Sequence, residues 1–247
     1  MIVEAKQQEK IKLRGIVRQV YKAAGKAINY YSMIEDKDRV LVGVSGGKDS
    51  LGLLKILVTR KAYLPIDFKV TACFVDVGFN DTDRSILEDY FKKENVPYVI
   101  KELRLKKEDI NCFWCSWNKR KILFTTAREL NCNKVALAHH LDDIVETILM
   151  NIFFHGQISS MKPRVDFFGG EISLIRPLAY LEKYQIESFC RKLGFPDTKH
   201  SSCPYSKDSK RQLIKKKISE LKKDFPHVKT NIFRSLQRRN IREEYLP

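Results

Sequence analysis

A chain of 247 residues can bury a full core and fits one or two domains. Its 43% hydrophobic and 31% charged residues exclude a disordered chain, and the absence of any apolar run of about 18 residues excludes a helical membrane span. The 46 Lys and Arg against 30 Asp and Glu give a net charge of +16, which points to a polyanionic partner such as a nucleic acid.

The first segment, Met1–Arg39, reads as a helix, with Ile16, Val20, Ala23, Ala27, Ile28 and Tyr31 at roughly helical spacing and Lys10, Lys12, Arg14, Arg18, Lys22 and Lys26 decorating it. It is charged and lacks an apolar core followed by a cleavage site, so no secretory signal is read and a cytoplasmic setting is expected. Arg39–Leu54 then gives a strand (Val40, Leu41, Val42, Val44), the turn Ser45-Gly46-Gly47-Lys48-Asp49-Ser50, and a helix carrying Leu51, Leu54, Ile56 and Leu57. Phe68–Val77 is a second strand ending near Asp76, Ser85–Lys93 a helix, and Pro97–Leu105 a third strand. Lys134–His140 is a fourth, followed at once by a helix over Asp142–Phe154. Phe154–Gly170, with four Gly and Pro breakers, reads as a loop or short hairpin. Ser173–Tyr180 is a further strand and Glu182–Leu193 a helix. The tail, Ser209–Arg242, is helical and basic, with Ile214, Ile218, Leu221 and Phe225 on a packing face. From Ser201 onward there are 13 basic and 5 acidic residues.

Strands alternating with helices predict an α/β fold with a doubly wound, mostly parallel, Rossmann-like sheet and helical additions at both ends. Residues 1–38 are expected as an N-terminal helical extension, 39–200 as the nucleotide-binding catalytic domain, and 201–247 as a basic helical region. The site is expected at the carboxyl ends of the strands.

Strand, tight glycine turn and helix start form an anion cradle. Gly46 and Gly47 allow close backbone approach, the helix N-terminus offers N–H groups, and Lys48 adds a cation. The spacing fits neither a Walker A loop nor a dinucleotide fingerprint. A second signature, His139-His140-Leu141-Asp142-Asp143, closes the fourth strand. Its carboxylates suit Mg²⁺ on ATP phosphates, and Asp142 or Asp143 alternatively caps the next helix. Six cysteines in this setting suggest metal or redox chemistry rather than disulfides. Cys112-Phe-Trp-Cys115 is a C-x-x-C pair, and Cys203 is a distant third. By residues alone, a three-thiolate [4Fe–4S] cluster, a redox pair and a zinc site with His200 remain equally open. Cys73, Cys132 and Cys190 read as structural.

Taken in order, S-G-G-K-D-S, C-x-x-C, H-H-x-D-D, Arg176-Pro177-Leu178 and Cys203 ahead of Arg211-Gln212 resemble the tRNA 2-thiocytidine synthetase family of the PP-loop ATP pyrophosphatase superfamily. The likeness runs from about Leu13 to Phe233. It implies an ATP- and Mg²⁺-dependent enzyme that replaces the C2 oxygen of a cytidine at position 32 of the anticodon loop with sulfur, using a [4Fe–4S] cluster held by three cysteines. Carried over, Cys112, Cys115 and Cys203 are the cluster ligands and catalytic centre. Ser45, Gly46, Gly47, Lys48, Asp49 and Ser50 hold the ATP phosphates, with Lys48 and Asp49 also catalytic. Asp76, His139, Asp142 and Asp143 lie at the nucleotide. Lys119 matches a catalytic lysine of related thiolation enzymes.

The partners implied are tRNA and a sulfur donor (a cysteine desulfurase or free sulfide), with a homodimer expected by analogy. Phe113, Trp114 and Trp117 are candidates for stacking on a target base. The chain departs from the family at Ala138, where Gly is common, and at Cys203, which lacks a preceding cysteine and is followed by Pro204. It carries no zinc ribbons, unlike cluster-bearing uridine thiolases. The competing readings are uridine 2-thiolation, sulfur transfer through a cysteine persulfide, and a tRNA-binding protein with a relict nucleotide site.

Overall fold

The computed structural model describes residues 14–78, 82–103, 112–199 and 209–237, without the side chains of Cys112, Phe113 and Ser209. Six strands form one sheet in the order β3-β2-β1-β4-β6-β5: β1 (Arg39–Val44), β2 (Lys69–Asp76), β3 (Tyr98–Glu102), β4 (Lys134–Ala136), β5 (Arg164–Phe167) and β6 (Ile172–Ile175). All neighbours pair parallel except β5, which returns antiparallel along β6. The central strands are apolar along their length because helices cover both faces: Val40, Leu41, Val42 and Ala72 are fully buried.

On one face α1 (Gly15–Tyr30), α2 (Lys48–Lys61), α3 (Arg84–Lys93) and α6 (Lys183–Lys192) build the main core with Phe68, Phe91 and Phe189. Gly52 lets α6 approach α2 closely, since a Cβ there would sit 3.2 Å from Ile186 Cγ2 and 3.3 Å from Cys190 Sγ. The other face packs α4 (Cys112–Glu129) through Leu123 and Ala127 onto Leu41, Cys73 and Val135. A third cluster joins α5 (Leu141–His155) to α7 (Ser209–Asp224) and α8 (Val228–Gln237) through Ile144, Ile148, Ile214, Ile218 and Phe233. The chain therefore winds outward from β1 to β3 and then crosses to β4 on the opposite side of β1. The doubly wound α/β arrangement expected from the alternation is the one observed, with its switch point between β1 and β4.

Several boundaries differ from the sequence reading. β4 is only three residues long, because β1 and β4 pair over Val40–Val42 and Lys134–Ala136 and then separate into the crevice at the switch point. β6 stops at Ile175, before Pro177, which has no N–H for a ladder. The stretch read as a loop or short hairpin is a hairpin, turned by Phe168–Gly170. The tail is two helices, since Pro226 ends α7 and α8 folds back onto α5. Consequently Ile214 and Ile218 pack, whereas Leu221 and Phe225 are 43% and 62% exposed. Residues 238–242 of the expected helix, like 1–13, lie outside the described residues.

Candidate active site

The turn after β1 is braced by its own serines. Ser50 is buried; its Oγ donates to the Gly47 carbonyl at 2.8 Å and accepts the Ser45 N–H at 3.1 Å, while Ser45 Oγ accepts the Gly47 N–H at 3.3 Å. Gly46 holds φ at 89°, a left-handed value that favours glycine. Its carbonyl accepts the Thr198 hydroxyl at 2.7 Å. Gly47 is the N-cap of α2, and the first intrahelical bonds run from Ser50 and Leu51 back to its carbonyl. The N–H groups of Lys48 and Asp49 stand ahead of those bonds, at the positive end of the helix. Cys190 Sγ donates to the Lys48 carbonyl at 3.4 Å and fixes the turn from the α6 side.

A cavity of about 760 Å³ opens at this turn, at the carboxyl ends of β1 and β4. Five cations face it (Lys48, Lys119, Arg120, Arg176 and Lys183) against the carboxylates of Asp49 and Glu187. Burial raises the Asp49 pKa, against the lowering pull of His140, whose Nε2 stands 3.9 Å from Asp49 Oδ2. Asp49 Oδ1 is enclosed and has no hydrogen-bond partner among the described residues. An orphaned carboxylate oxygen beside an anion cradle fits a divalent cation carried by a nucleotide.

His139 is held neutral, its pKa lowered to about 4 by burial and then by Arg176. Arg176 Nε donates to His139 Nδ1 at 3.2 Å, which leaves the ring proton on Nε2. Burial also depresses Arg176, to about 10, with Arg120 adding to the effect.

The expected site residues therefore separate. Ser45, Gly47, Lys48, Asp49, Ser50, Lys119 and His139 line the one cavity, and Gly46 shapes its turn. Asp142 and Asp143 are not among the residues that line the cavity, although Asp143 acts electrostatically on Asp49, His139 and Arg176. Asp142 bonds Lys229 of α8 and accepts the Lys183 N–H at 2.8 Å. Asp143 Oδ1 accepts from Arg211 of α7 at 2.9 Å. The cap of α5 is neither aspartate but His140, whose Nδ1 accepts the Asp143 N–H while Asp143 Oδ2 accepts the His140 N–H at 3.0 Å. Both carboxylates fasten helices in this structure. Asp76 ends β2 and accepts the Gly78 N–H at 2.9 Å. Arg120, Arg176, Lys183 and Glu187 were missed as site residues. Arg176 alone carried a signal, a charge set inside the apolar run Leu174–Leu178.

Cys112 opens α4 and Cys115, buried, lies in its first turn. The same helix sends Ser116, Lys119 and Arg120 to the cavity. Cys203 and His200 lie outside the described residues. Cys73, Cys132 and Cys190 are buried free thiols. Burial lifts Cys73 to about 11 and Cys190 to about 12, so both stay protonated at neutral pH. Trp114 and Trp117 are exposed and meet edge to face at 5.7 Å. Trp117 and Arg120 open a second groove of about 310 Å³ along α4, with Phe124, Phe168, Lys121 and Arg128.

The PP-loop domain model matches residues 16–220. The tRNA-cytidine(32) 2-sulfurtransferase of Geobacter sulfurreducens is 36% identical over 240 residues, 93% of this chain and 92% of that protein. The chain belongs to the tRNA-cytidine(32) 2-sulfurtransferase family of PP-loop proteins. The family member from Syntrophotalea carbinolica is 35% identical over 90% of this chain and 89% of its own length. The member from Ralstonia nicotianae is 38% identical over 87% of this chain and 71% of its own. Among solved structures, the U34-tRNA thiolase NcsA from Methanococcus maripaludis with its [4Fe-4S] cluster shares the fold, with a TM-score of 0.76 over 94% of this chain and 80% of that one at 21% identity. Among the described residues no helix is long and apolar enough to cross a membrane.

Proposed function

We propose that this protein is an ATP-dependent tRNA sulfurtransferase that replaces the C2 oxygen of cytidine 32 with sulfur and acts in the cytoplasm. The observation that carries the reading is the cationic cavity at the β1–β4 switch point, built on the glycine turn of a chain whose family relatives match it nearly end to end.

A pyrimidine C2 carbonyl is a poor electrophile because its oxygen is a poor leaving group. Attack by that oxygen on the α-phosphorus of ATP expels pyrophosphate and converts the oxygen into part of an AMP leaving group. Sulfide then forms the C2–S bond, and the C2–O bond breaks with release of AMP. The α2 N–H groups and Lys48 stabilise the departing pyrophosphate. Asp49 Oδ1 is the carboxylate oxygen that suits Mg²⁺ at that pyrophosphate. His139, neutral and oriented by Arg176, presents its Nε2–H as a donor, and Lys119 offers a cation near the reacting base.

The donor chemistry of Cys112 and Cys115 fits a cluster. Cysteine sulfur is a soft donor suited to iron, and the two residues fall in the first turn of one helix. With Cys203 as third ligand, a [4Fe–4S] group supplies an iron without a protein ligand, able to hold sulfur. Exposed cations of α1 (Arg14, Arg18, Lys22) enter no ion pair among the described residues and suit the tRNA backbone.

The test is mass spectrometry of tRNA nucleosides from a deletion strain, paired with iron analysis of anaerobically purified protein. Loss of 2-thiocytidine and about four irons per chain are expected. Loss of 2-thiouridine instead assigns uridine as the substrate, and a colourless protein with stoichiometric zinc overturns the cluster.

A further inference from the structure

Arg176 is only 6% exposed and follows β6 directly. Its Nε donates to His139 Nδ1 and its Nη1 to the Lys162 carbonyl, both neutral acceptors. No carboxylate lies within 4 Å of it among the described residues, where Nη2 also has no partner. The guanidinium lines the cavity, and Arg120, likewise a cavity residue, pushes against it rather than relieving it. Asp143, the carboxylate that favours its charge, is itself bonded to Arg211. A buried cation without a counterion, with a second cation beside it, is a state that proteins avoid unless an anion arrives.

We propose that Arg176 and Arg120 form a phosphate subsite on the β6 side of the cavity, distinct from the glycine turn. Strand β4 separates β1 from β6, so the two subsites start about 10 Å apart and hold different phosphates. The inference rests on the function proposed above for the phosphate's source, either a phosphate of ATP or the phosphodiester of the target nucleotide in tRNA.

The experiment compares Arg176→Gln and Arg120→Gln with the full-length parent. Binding of ATP and of adenosine is titrated, tRNA binding is measured from 50 to 200 mM salt, and melting temperature is followed throughout. A nucleotide phosphate at the subsite weakens ATP at least tenfold in both variants and leaves adenosine unchanged. An RNA phosphate leaves ATP unchanged and flattens the slope of log K against log salt by about 0.7–0.9. Variants that keep the parent's melting temperature, ATP affinity and tRNA slope overturn the subsite. Parallel loss of ATP and adenosine affinity with a fallen melting temperature also counts against it, since that is the signature of a structural brace. Arg120 is exposed on α4, so its variant keeps the test alive if Arg176→Gln does not fold. Parent protein that binds both ligands with these dependences but forms no thionucleoside sinks the functional reading and leaves the subsite standing.

Discussion

Lys48 is the first residue of α2, where its own charge adds to that of the helix end. Lys48→Ala is expected to lower pyrophosphate release 10²–10³-fold in the presence of tRNA and sulfide, within the range lost with one transition-state donor, while iron content stays at the parent value. Cys203→Ala is expected to give the reverse pattern: iron and thiolation lost, ATP binding retained. A Cys203→Ala protein that no longer binds ATP contradicts the separation of the two tasks. At this scale the six residues of the turn were legible because their geometry is local. Strand, glycine and helix start follow one another in the chain. Thr198, which holds the Gly46 carbonyl from 152 residues away, left no mark in the sequence, because a lone threonine in a loop has no pattern. The partner of Asp142 was hidden for a related reason. The spacing puts a carboxylate at a strand end, but only the folded tail supplies the lysine that claims it.

The helices behind α5 are held by charge as much as by apolar contact. Lys229 of α8 bridges Asp142 and Glu182, and Arg211 of α7 grips Glu146, which is buried. Burial by itself works to raise both Asp142 and Glu182. The hydrogen bonds from Lys229, with the Lys183 N–H at Asp142 and Lys222 at Glu182, outweigh it and hold both carboxyls below their usual range. Folded values below unfolded ones mean stability that is present above the unfolded values, near pH 4, and lost as pH falls through the folded ones. Lys229→Met is therefore expected to cost about 1.5–3 kcal/mol at pH 7. That difference should shrink as pH drops below about 4 in urea unfolding series. A gap independent of pH rules out the bridge as its source. Helix periodicity made α5, α6 and α7 readable. The break at Pro226 was equally present in the letters, and the regular recurrence of Ile214, Ile218, Leu221 and Phe225 hid it. Periodicity reports what could share a face, not whether anything lies beneath it.

For the whole molecule, the net charge of +16 is partly spent inside. Arg211, Lys215, Lys217, Lys222 and Lys229 of the tail all make ion pairs within the chain. Lys216 and Lys223 enter none among the described residues, nor do Arg14, Arg18 and Lys22 along α1. Affinity for tRNA is expected to fall at least tenfold between 50 and 200 mM salt, and Arg18→Glu with Lys22→Glu to flatten that dependence by one to two phosphate contacts. Unchanged salt dependence in the double variant places the RNA elsewhere. Composition announced a polyanion but not where it lies, because a count of lysines does not distinguish those turned inward to a carboxylate from those left in water.

Helix α1 has a consequence for cutting and grafting the protein. Val20, Ala24 and Ala27 are fully buried in the same core as α2 and α6, and Tyr21 meets Phe189 edge to face at 5.6 Å. A methyl group on Gly25 would meet the Arg60 guanidinium at 2.5 Å, and the helix that α1 packs against is α6. A gene fragment beginning at codon 39 would strip a wall from the nucleotide domain and leave a greasy strip in water. Such a fragment is expected in the insoluble fraction, and chimeras with related enzymes should be spliced upstream of residue 14, leaving that seam intact.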